Sequence, residues 1–259
     1  IMVAYKYQGA GNDFVVLDFF DEEINLSVLD IKNICDRNFG IGADGLIKIM
    51  KAKSADFKMQ YYNSDGNEAA MCGNGARCAV AFAFSKKYCK NKTTFEASDG
   101  LHEGEVLSCE NKEYLIKISL NIENAPKRLP DGSYFANTGV PHNVRIYPNI
   151  DSIDIKNLGA KFRNDKALFP EGANINFVEI QGDKIKIRTF ERGVEDETLA
   201  CGTGITAVAL ALNSFFDIQF PITISAAGGN LRVLKEQNQY FLEGPAAHVF
   251  DAINFQKNA

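Results

Sequence analysis

The sequence predicts an α/β (α+β) protein of two similar domains, each with strands wrapped around one apolar helix. Three observations predict it. The tetrad Cys-Gly-x-Gly occurs twice, as Cys72-Gly73-Asn74-Gly75 and Cys201-Gly202-Thr203-Gly204, about half a chain apart. Each tetrad opens an Ala-rich stretch that is apolar on every side: residues 76–84 hold one charge, Arg77, and residues 205–212 hold none. A helix that is apolar all round has to be buried, so each is read as the central helix of its domain. Finally, the elements ahead of the two tetrads come in the same order.

In the first half, residues 3–7 read as a strand, Gly9-Ala10-Gly11-Asn12-Asp13 as a turn and residues 14–17 as a second strand. Apolar residues at 26, 28, 29, 31 and 34 predict a helix over 26–37, with Asn25 as its cap. Alternation over 57–62 predicts a strand, and the first cysteine helix follows. The second half repeats this. Residues 134–136 and 144–146 read as strands around a turn at 138–143, and 153–162 as a helix capped by Asp151 or Ser152. A strand over 184–190 and the second cysteine helix come next. Strands over 93–97 and 113–120 close the first half, and strands over 222–225, 230–234 and 239–243 close the second. The expected domains are residues 1–119 with 246–259, and 120–245, facing each other.

Composition narrows the function. A chain of 259 residues with 46% hydrophobic and 11% aromatic content can bury a sizeable core. A net charge of −5 without a basic block argues against nucleic acid or an anionic membrane as partner. No apolar run approaches the roughly 18 residues of a membrane-spanning helix. The N-terminus lacks the charged and apolar regions of a signal peptide, so a cytoplasmic protein is expected. The six cysteines (35, 72, 78, 89, 109 and 201) are irregularly spaced, include no C-x-x-C pair and are joined by three histidines. Neither a disulfide framework nor a metal site is expected. Cys35, Cys78, Cys89 and Cys109 read as small buried or half-buried hydrophobes.

The tetrads carry the chemistry. At a helix start the free N–H groups and the dipole favour an anion and lower a thiol's pKa. Two glycines let a carboxylate come close to the backbone. One such thiol alone reads as a small cysteine in a tight turn. Two of them, each with a glutamate four residues earlier (Glu68 and Glu197), suggest one site holding a carboxylate between two helix tips. A base on one face of a carbon and an acid on the other invert a stereocentre.

Further motifs fill in the pattern. They are Gly11-Asn12-Asp13-Phe14, Gly40-Ile41-Gly42-Ala43-Asp44-Gly45, Tyr62-Asn63-Ser64-Asp65-Gly66, Gly139-Val140-Pro141-His142, Asn174-Ile175-Asn176-Phe177 and Glu191-Arg192-Gly193. With the tetrads, and in this order over nearly the whole chain, they resemble the diaminopimelate epimerase family. The resemblance implies two pseudo-symmetric domains, each a barrel-like mixed sheet around a central helix. It also implies cofactor-independent interconversion of LL- and meso-2,6-diaminopimelate for lysine and peptidoglycan synthesis, often by a homodimer.

Carried over by motif, Cys72 and Cys201 resemble the two catalytic acid/base thiols. Asn12, Asn63, Asn174 and Arg192 resemble residues that hold the substrate, including its non-reacting end. Gly73 and Asn74, with Gly202 and Thr203, resemble the carboxylate cradles. His142 and Glu191 resemble polar neighbours that tune the thiols, Glu191 also lying against substrate. Taken singly, each Asn reads as a turn or cap residue, Arg192 as a surface ion pair and His142 as a loop histidine. Asp44, Asp65 and Arg77 read as structural. This chain departs from many members at Val140, where they have Asn, and from some at Gly45, where they have Gln. Its loop from Glu191 to Cys201 is one residue longer than in many. A proline-type racemase shares the two-thiol logic, but its first tetrad tends to read Cys-Gly-His-Gly. An amino-acid-binding or redox-sensing module would explain the thiols but not their duplication.

Overall fold

The computed structural model of the protein describes residues 2–22, 24–122 and 124–255. Its strands are β1 (Met2–Gly9), β2 (Asn12–Phe19), β3 (Gly45–Met50), β4 (Phe57–Asn63), β5 (Lys92–Ala97), β6 (Gly100–Glu110), β7 (Glu113–Leu120), β8 (Lys127–Arg128) and β9 (Tyr134–Asn137). They continue as β10 (Pro141–Ile146), β11 (Asn174–Gln181), β12 (Lys184–Glu191), β13 (Asp196–Thr198), β14 (Ile222–Ala226), β15 (Gly229–Glu236) and β16 (Gln239–Phe255). The helices are α1 (Val28–Cys35), α2 (Gly73–Ser85), α3 (Ile155–Arg163) and α4 (Gly202–Phe216). The chain divides into one unit of Ile1–Ser119 with Gly244–Ala259 and a second of Leu120–Glu243.

In the first unit the strand order is β1-β2-β3-β4-β5-β6-β7-β16, and β16 pairs back onto β1, closing an eight-stranded barrel. In the second the order is β8-β9-β10-β11-β12-β14-β15-β16, with β13 on β12. The pairings repeat. β1/β2 and β9/β10 are antiparallel. β2/β3 and β10/β11 are parallel across α1 and α3. β3/β4 and β11/β12 are antiparallel. β4/β5 and β12/β14 are parallel across α2 and α4. Each unit is thus the same pair of βαβ crossovers, a mixed sheet around one buried helix.

The cysteine helices lie where their composition demands. Helix α2 packs against β1, β2, β3, β4 and β6, and α4 against β9, β10, β11, β14 and β15. Residues 73–83 of α2 are all buried, Arg77 included. The buried Cys78 thiol is pushed well above its usual range by desolvation, as is Cys35, up to about 12. Cys89 is half-buried, but Cys109 is exposed rather than a buried hydrophobe.

The expected boundaries shift at the caps. Helix α1 starts at Val28, not 26, because Ser27 and Asp30 close a reciprocal capping box; Asn25 is not the cap. Helix α3 starts at Ile155, since Asp154, rather than Asp151 or Ser152, accepts from the Asn157 N–H. The first hairpin turns on Ala10 and Gly11 alone, both at positive φ, so Asn12 and Asp13 belong to β2. In the second half β10 begins at Pro141, which puts His142 and Asn143 on a buried strand instead of a turn. Strands β3 and β11, absent from the periodicity reading, are buried almost throughout. Parallel strands covered on both faces show little alternation.

Candidate active site

Cys72 and Cys201 are the N-caps of α2 and α4, with matched backbone angles: φ −102°, ψ 122° and φ −119°, ψ 107°. Each cap carbonyl accepts the first helical hydrogen bond, from Ala76 (2.7 Å) and Ile205 (2.9 Å). The N–H groups of Gly73-Asn74-Gly75 and Gly202-Thr203-Gly204 therefore sit in the first turn, where the dipole is positive. Neither first turn carries an acidic side chain.

In the first unit Asn12 links the thiol to a charged network. Its Nδ2 donates to Asp44 Oδ2 at 2.7 Å, so its Oδ1 faces Cys72 Sγ (3.7 Å) and accepts from Asn74 Nδ2 (3.3 Å). Asp44 is in turn held by Arg37, which also grips Asp13. Lys6 donates to the Gly42 carbonyl and pairs with Asp13 at 2.6 Å. Burial alone would raise the Asp13 carboxyl, but the bonds from Arg37 and Lys6 hold it well below the usual carboxylate range. Under the tip, the fully buried Arg77 donates to Gly73 O, Asn74 Oδ1 and Pro245 O. Burial lowers its guanidinium only to about 10, so it stays charged at neutral pH. Asn63, at the end of β4, accepts from Tyr61 Oη at 3.0 Å.

In the second unit Cys201 Sγ lies 3.3 Å from Thr203 Oγ1, which lies 3.0 Å from His142 Nε2. Asn176 Nδ2 stands 3.1 Å from His142 Nδ1. Thr138 Oγ1 donates to the Thr203 carbonyl, anchoring the helix start to the end of β9. His142 is fully buried, and desolvation, with the Arg192 guanidinium adding to it, pushes the imidazole down to about 3. Asn174 Oδ1 accepts the Arg192 N–H at 2.7 Å, while the Arg192 guanidinium donates to the Glu171 carbonyl instead of forming a surface ion pair. Glu191 ends β12, across the ladder from the start of β11.

The repeat makes the two tips comparable. Phe14 pairs with Gly45 and Gly45 with Asn63, as His142 pairs with Asn174. Glu191 closes the second series, one residue beyond the Ile175–Phe190 pair. By register, then, Phe14 corresponds to His142, Gly45 to Asn174 and Asn63 to Glu191. The glutamates ahead of the tetrads are not matched in the same way. Glu197 forms a two-pronged ion pair with Arg188, whereas Glu68 bridges to Tyr62 through its backbone.

Of the predicted residues, Asn12, Asn74 and Gly73 lie about Cys72 and Thr203, Gly202 and His142 about Cys201, Asn174 links His142 to the Arg192 N–H, and Asn63 and Glu191 stand at the ends of β4 and β12. Sequence reasoning missed the residues behind them. Asp44 is more than a turn acceptor, because it decides which end of the Asn12 amide meets Cys72. Asn176 and Thr189 are buried polar residues on strands of otherwise apolar face. The signal for Asn176 was a polar side chain at alternate places of a buried run, Asn174-x-Asn176 in β11. Among the described residues no group of three or more His, Cys, Asp or Glu is disposed to hold a metal ion. Nor is any described helix long and apolar enough to cross a membrane.

Known proteins share this architecture and resemble this sequence over its length. The family profile described as diaminopimelate epimerase matches residues 4–119 and again 134–249, once per repeat. A diaminopimelate epimerase of Flavobacterium psychrophilum is 46% identical over 262 residues, covering 96% of this chain and 99% of that protein. One of Chlorobaculum tepidum is 38% identical over 254 residues, covering 93% of this chain and 97% of its own. Among solved structures, a phenazine biosynthesis protein of the PhzF family from Bacillus anthracis superposes with a TM-score of 0.73 at 16% identity, covering 97% of this chain and 98% of that one. A hydroxyproline epimerase from Agrobacterium vitis gives 0.70 at 11% identity, covering 97% and 91%. These two share the fold alone. The profile match in both repeats and the full-length identity to named relatives go further: the chain belongs to the diaminopimelate epimerase family.

Proposed function

We propose that the protein interconverts LL- and meso-2,6-diaminopimelate, with Cys72 and Cys201 as the paired acid and base. The observation that supports it most is the duplicated helix tip. Two cysteines occupy the N-cap positions of two buried helices with similar extended backbone angles, in a chain whose relatives at up to 46% identity are named for this reaction.

One thiolate takes the proton from Cα, so a C–H bond breaks and an S–H bond forms. The electron pair passes into the α-carboxylate, whose growing charge is met by the N–H groups of Gly73-Asn74 and Gly202-Thr203 and by two helix dipoles. The other thiol gives its proton to the opposite face, leaving the carbon inverted and the two sulfurs with exchanged protonation. Each sulfur has to reach the same Cα within roughly 3 to 3.5 Å. The two thiols account for both proton transfers, and the carbanion is stabilised in this reading by the N–H groups and helix dipoles with no cofactor. His142 and Glu191 modulate the thiols. Asn12, Asn63, Asn174 and Arg192 read the remainder of the substrate, with Arg192 and Glu191 addressing its charged groups.

The same reading makes the protein a cytoplasmic enzyme of lysine and peptidoglycan precursor synthesis, acting as a homodimer. Exposed Val249, Phe250 and Ile253 along β16 support the dimer. A chiral assay of purified protein, with LL-diaminopimelate and separately with L-proline, tests the function. Epimerisation of the first alone, unaffected by dialysis against chelator, is expected. Turnover of proline alone, or restoration only by pyridoxal phosphate or a metal, would overturn it. Sedimentation velocity reads the dimer.

A further inference from the structure

Behind Cys201 the hydrogen-bond directions are settled one after another, starting from a group that can only accept. The Asn143 carbonyl lies 2.9 Å from one end of the Asn176 amide, so that end is the NH2. The other end, Oδ1, then accepts from Thr189 Oγ1 at 3.0 Å. The same NH2 stands 3.1 Å from His142 Nδ1, which must therefore offer a lone pair. A neutral imidazole with Nδ1 bare carries its proton on Nε2. Nε2–H points at Thr203 Oγ1, 3.0 Å away, and the Thr203 hydroxyl is left to donate to Cys201 Sγ at 3.3 Å. The Asn174 amide, whose Oδ1 is taken by the Arg192 N–H, stands 3.5 Å from Nε2, beyond the usual hydrogen-bond range and well outside the 3.0 Å of the Thr203 hydroxyl. A donor aimed at sulfur favours the thiolate over the thiol.

The repeat supplies the contrast. A Cβ built on Gly204 would lie 2.5 Å from Asn176 Oδ1, 3.3 Å from His142 Cε1 and 3.4 Å from Cys201 Cβ. One built on Gly75 would lie 3.3 Å from Ile47 Cδ1, 3.6 Å from Phe14 Cε1 and 3.6 Å from Cys72 Cβ. The places of Asn176 and His142 beside one thiol are those of Ile47 and Phe14 beside the other. Cys72 faces an acceptor instead, the Asn12 Oδ1.

We propose that Asn176 and Thr189 are positioning residues: by holding His142 as its Nε2–H tautomer they turn the Thr203 hydroxyl toward Cys201 and ease the loss of its proton. This rests on Cys201 being an acid/base thiol. The charged groups on the surrounding elements leave the relay neutral. Helix α4 and strand β9 contribute none. Strand β10 brings Arg145, tied to Asp131, and β11 brings Glu179, which accepts from the Ile150 N–H. Strand β12 brings Lys184, Lys186 and Arg188, with Lys186 paired to Asp151 and Arg188 to Glu197, and it ends in Glu191 next to Arg192.

Two measurements on the substrate-free protein test it. Long-range 1H–15N spectra of 15N-histidine protein, with His142 identified by its loss in His142→Gln, should show the Nε2–H tautomer between pH 6 and 8. An Nδ1–H tautomer or an imidazolium at pH 6 overturns the proposal. Asn176→Asp replaces the donor facing Nδ1 by an acceptor and should reverse the tautomer. The pH midpoint for iodoacetamide alkylation of Cys201, read by peptide mass spectrometry, should then rise by about one unit, a roughly tenfold slower reaction at neutral pH. Cys72 in the same samples should not move. Thr189→Val should shift Cys201 the same way by less, and it covers the case in which Asn176→Asp folds poorly. A reversed tautomer with no change at Cys201, or an equal change at Cys72, overturns the proposal. Neither readout needs substrate, so a failed epimerase assay would be recognised separately.

Discussion

The ring of Tyr61 occupies the space that any side chain at Gly45 would enter. A Cβ on Gly45 would lie 2.6 Å from Tyr61 Cε2 and 2.5 Å from the Tyr62 carbonyl oxygen. Gly45 on β3 is thus coupled to Tyr61 on β4, which packs edge-on to Phe14 of β2 with ring centroids 5.9 Å apart. The Tyr61 hydroxyl, 3.1 Å from where that Cβ would sit, donates to Asn63 on β4.

Tyr61→Phe should leave folding intact and raise KM for diaminopimelate several-fold with little change in kcat, because the Asn63 amide loses the donor that orients it. Gly45→Gln should destabilise the fold by about 1–3 kcal/mol, the usual cost of overpacking. Steady-state kinetics and urea denaturation separate the two. An unchanged KM in Tyr61→Phe would remove Tyr61 from the substrate end.

The two tetrad glycines should respond differently to a methyl group. Gly75→Ala meets only the end of Ile47 at 3.3 Å and should keep most of its activity. Gly204→Ala meets Asn176 Oδ1 at 2.5 Å, and that oxygen is held by Thr189. Its turnover should fall at least tenfold more than that of Gly75→Ala, at comparable expression and far-UV circular dichroism. Equal losses would count against the polar relay.

Among the thiols, Cys72→Ala and Cys201→Ala should each reduce turnover by roughly 10² to 10⁴-fold or more, the range of a general acid or base. Cys78→Ala, deep in α2 with its thiol desolvated, should stay near wild-type kcat with a loss of stability only. Solvent-deuterium incorporation at Cα measures all three. A folded Cys78→Ala protein as inactive as the other two would displace the assignment.

The His142 imidazole, with a folded value near 3 against about 6.5 when unfolded, binds its proton more readily in the unfolded chain. It therefore contributes stability above about pH 6.5, and that contribution drains away as pH falls from 6.5 toward 3. His142→Gln should flatten this part of the stability–pH curve measured by thermal melts.

Arg192→Lys should raise KM and lower kcat/KM, since an ammonium cannot reproduce the two-pronged grip of a guanidinium on a carboxylate. Wild-type kcat/KM would leave Arg192 to its bond with the Glu171 carbonyl.

What the sequence determined by itself was the repeat and the helix starts that carry its two tetrad cysteines. Cys-Gly-x-Gly ahead of an all-apolar helix is a local statement: the glycines, the cap and the missing polar face are written in adjacent residues. So burial of α2 and α4 and the place of Cys72 and Cys201 at their N-caps could be read directly. The strands most buried, β3 and β11, could not, because a strand covered on both faces loses the alternation that marks it. Cap positions moved by a few residues because the side chains of Ser27 and Asp154 accept the N–H three places on, from Asp30 and Asn157. The tertiary structure alone decided direction. That Asn12 turns its oxygen to Cys72 depends on Asp44, and that Asn176 turns its nitrogen to His142 depends on the Asn143 carbonyl, each brought in by strand pairing. Residue type says which groups can donate or accept; only the partner across the sheet says which way each hydrogen points.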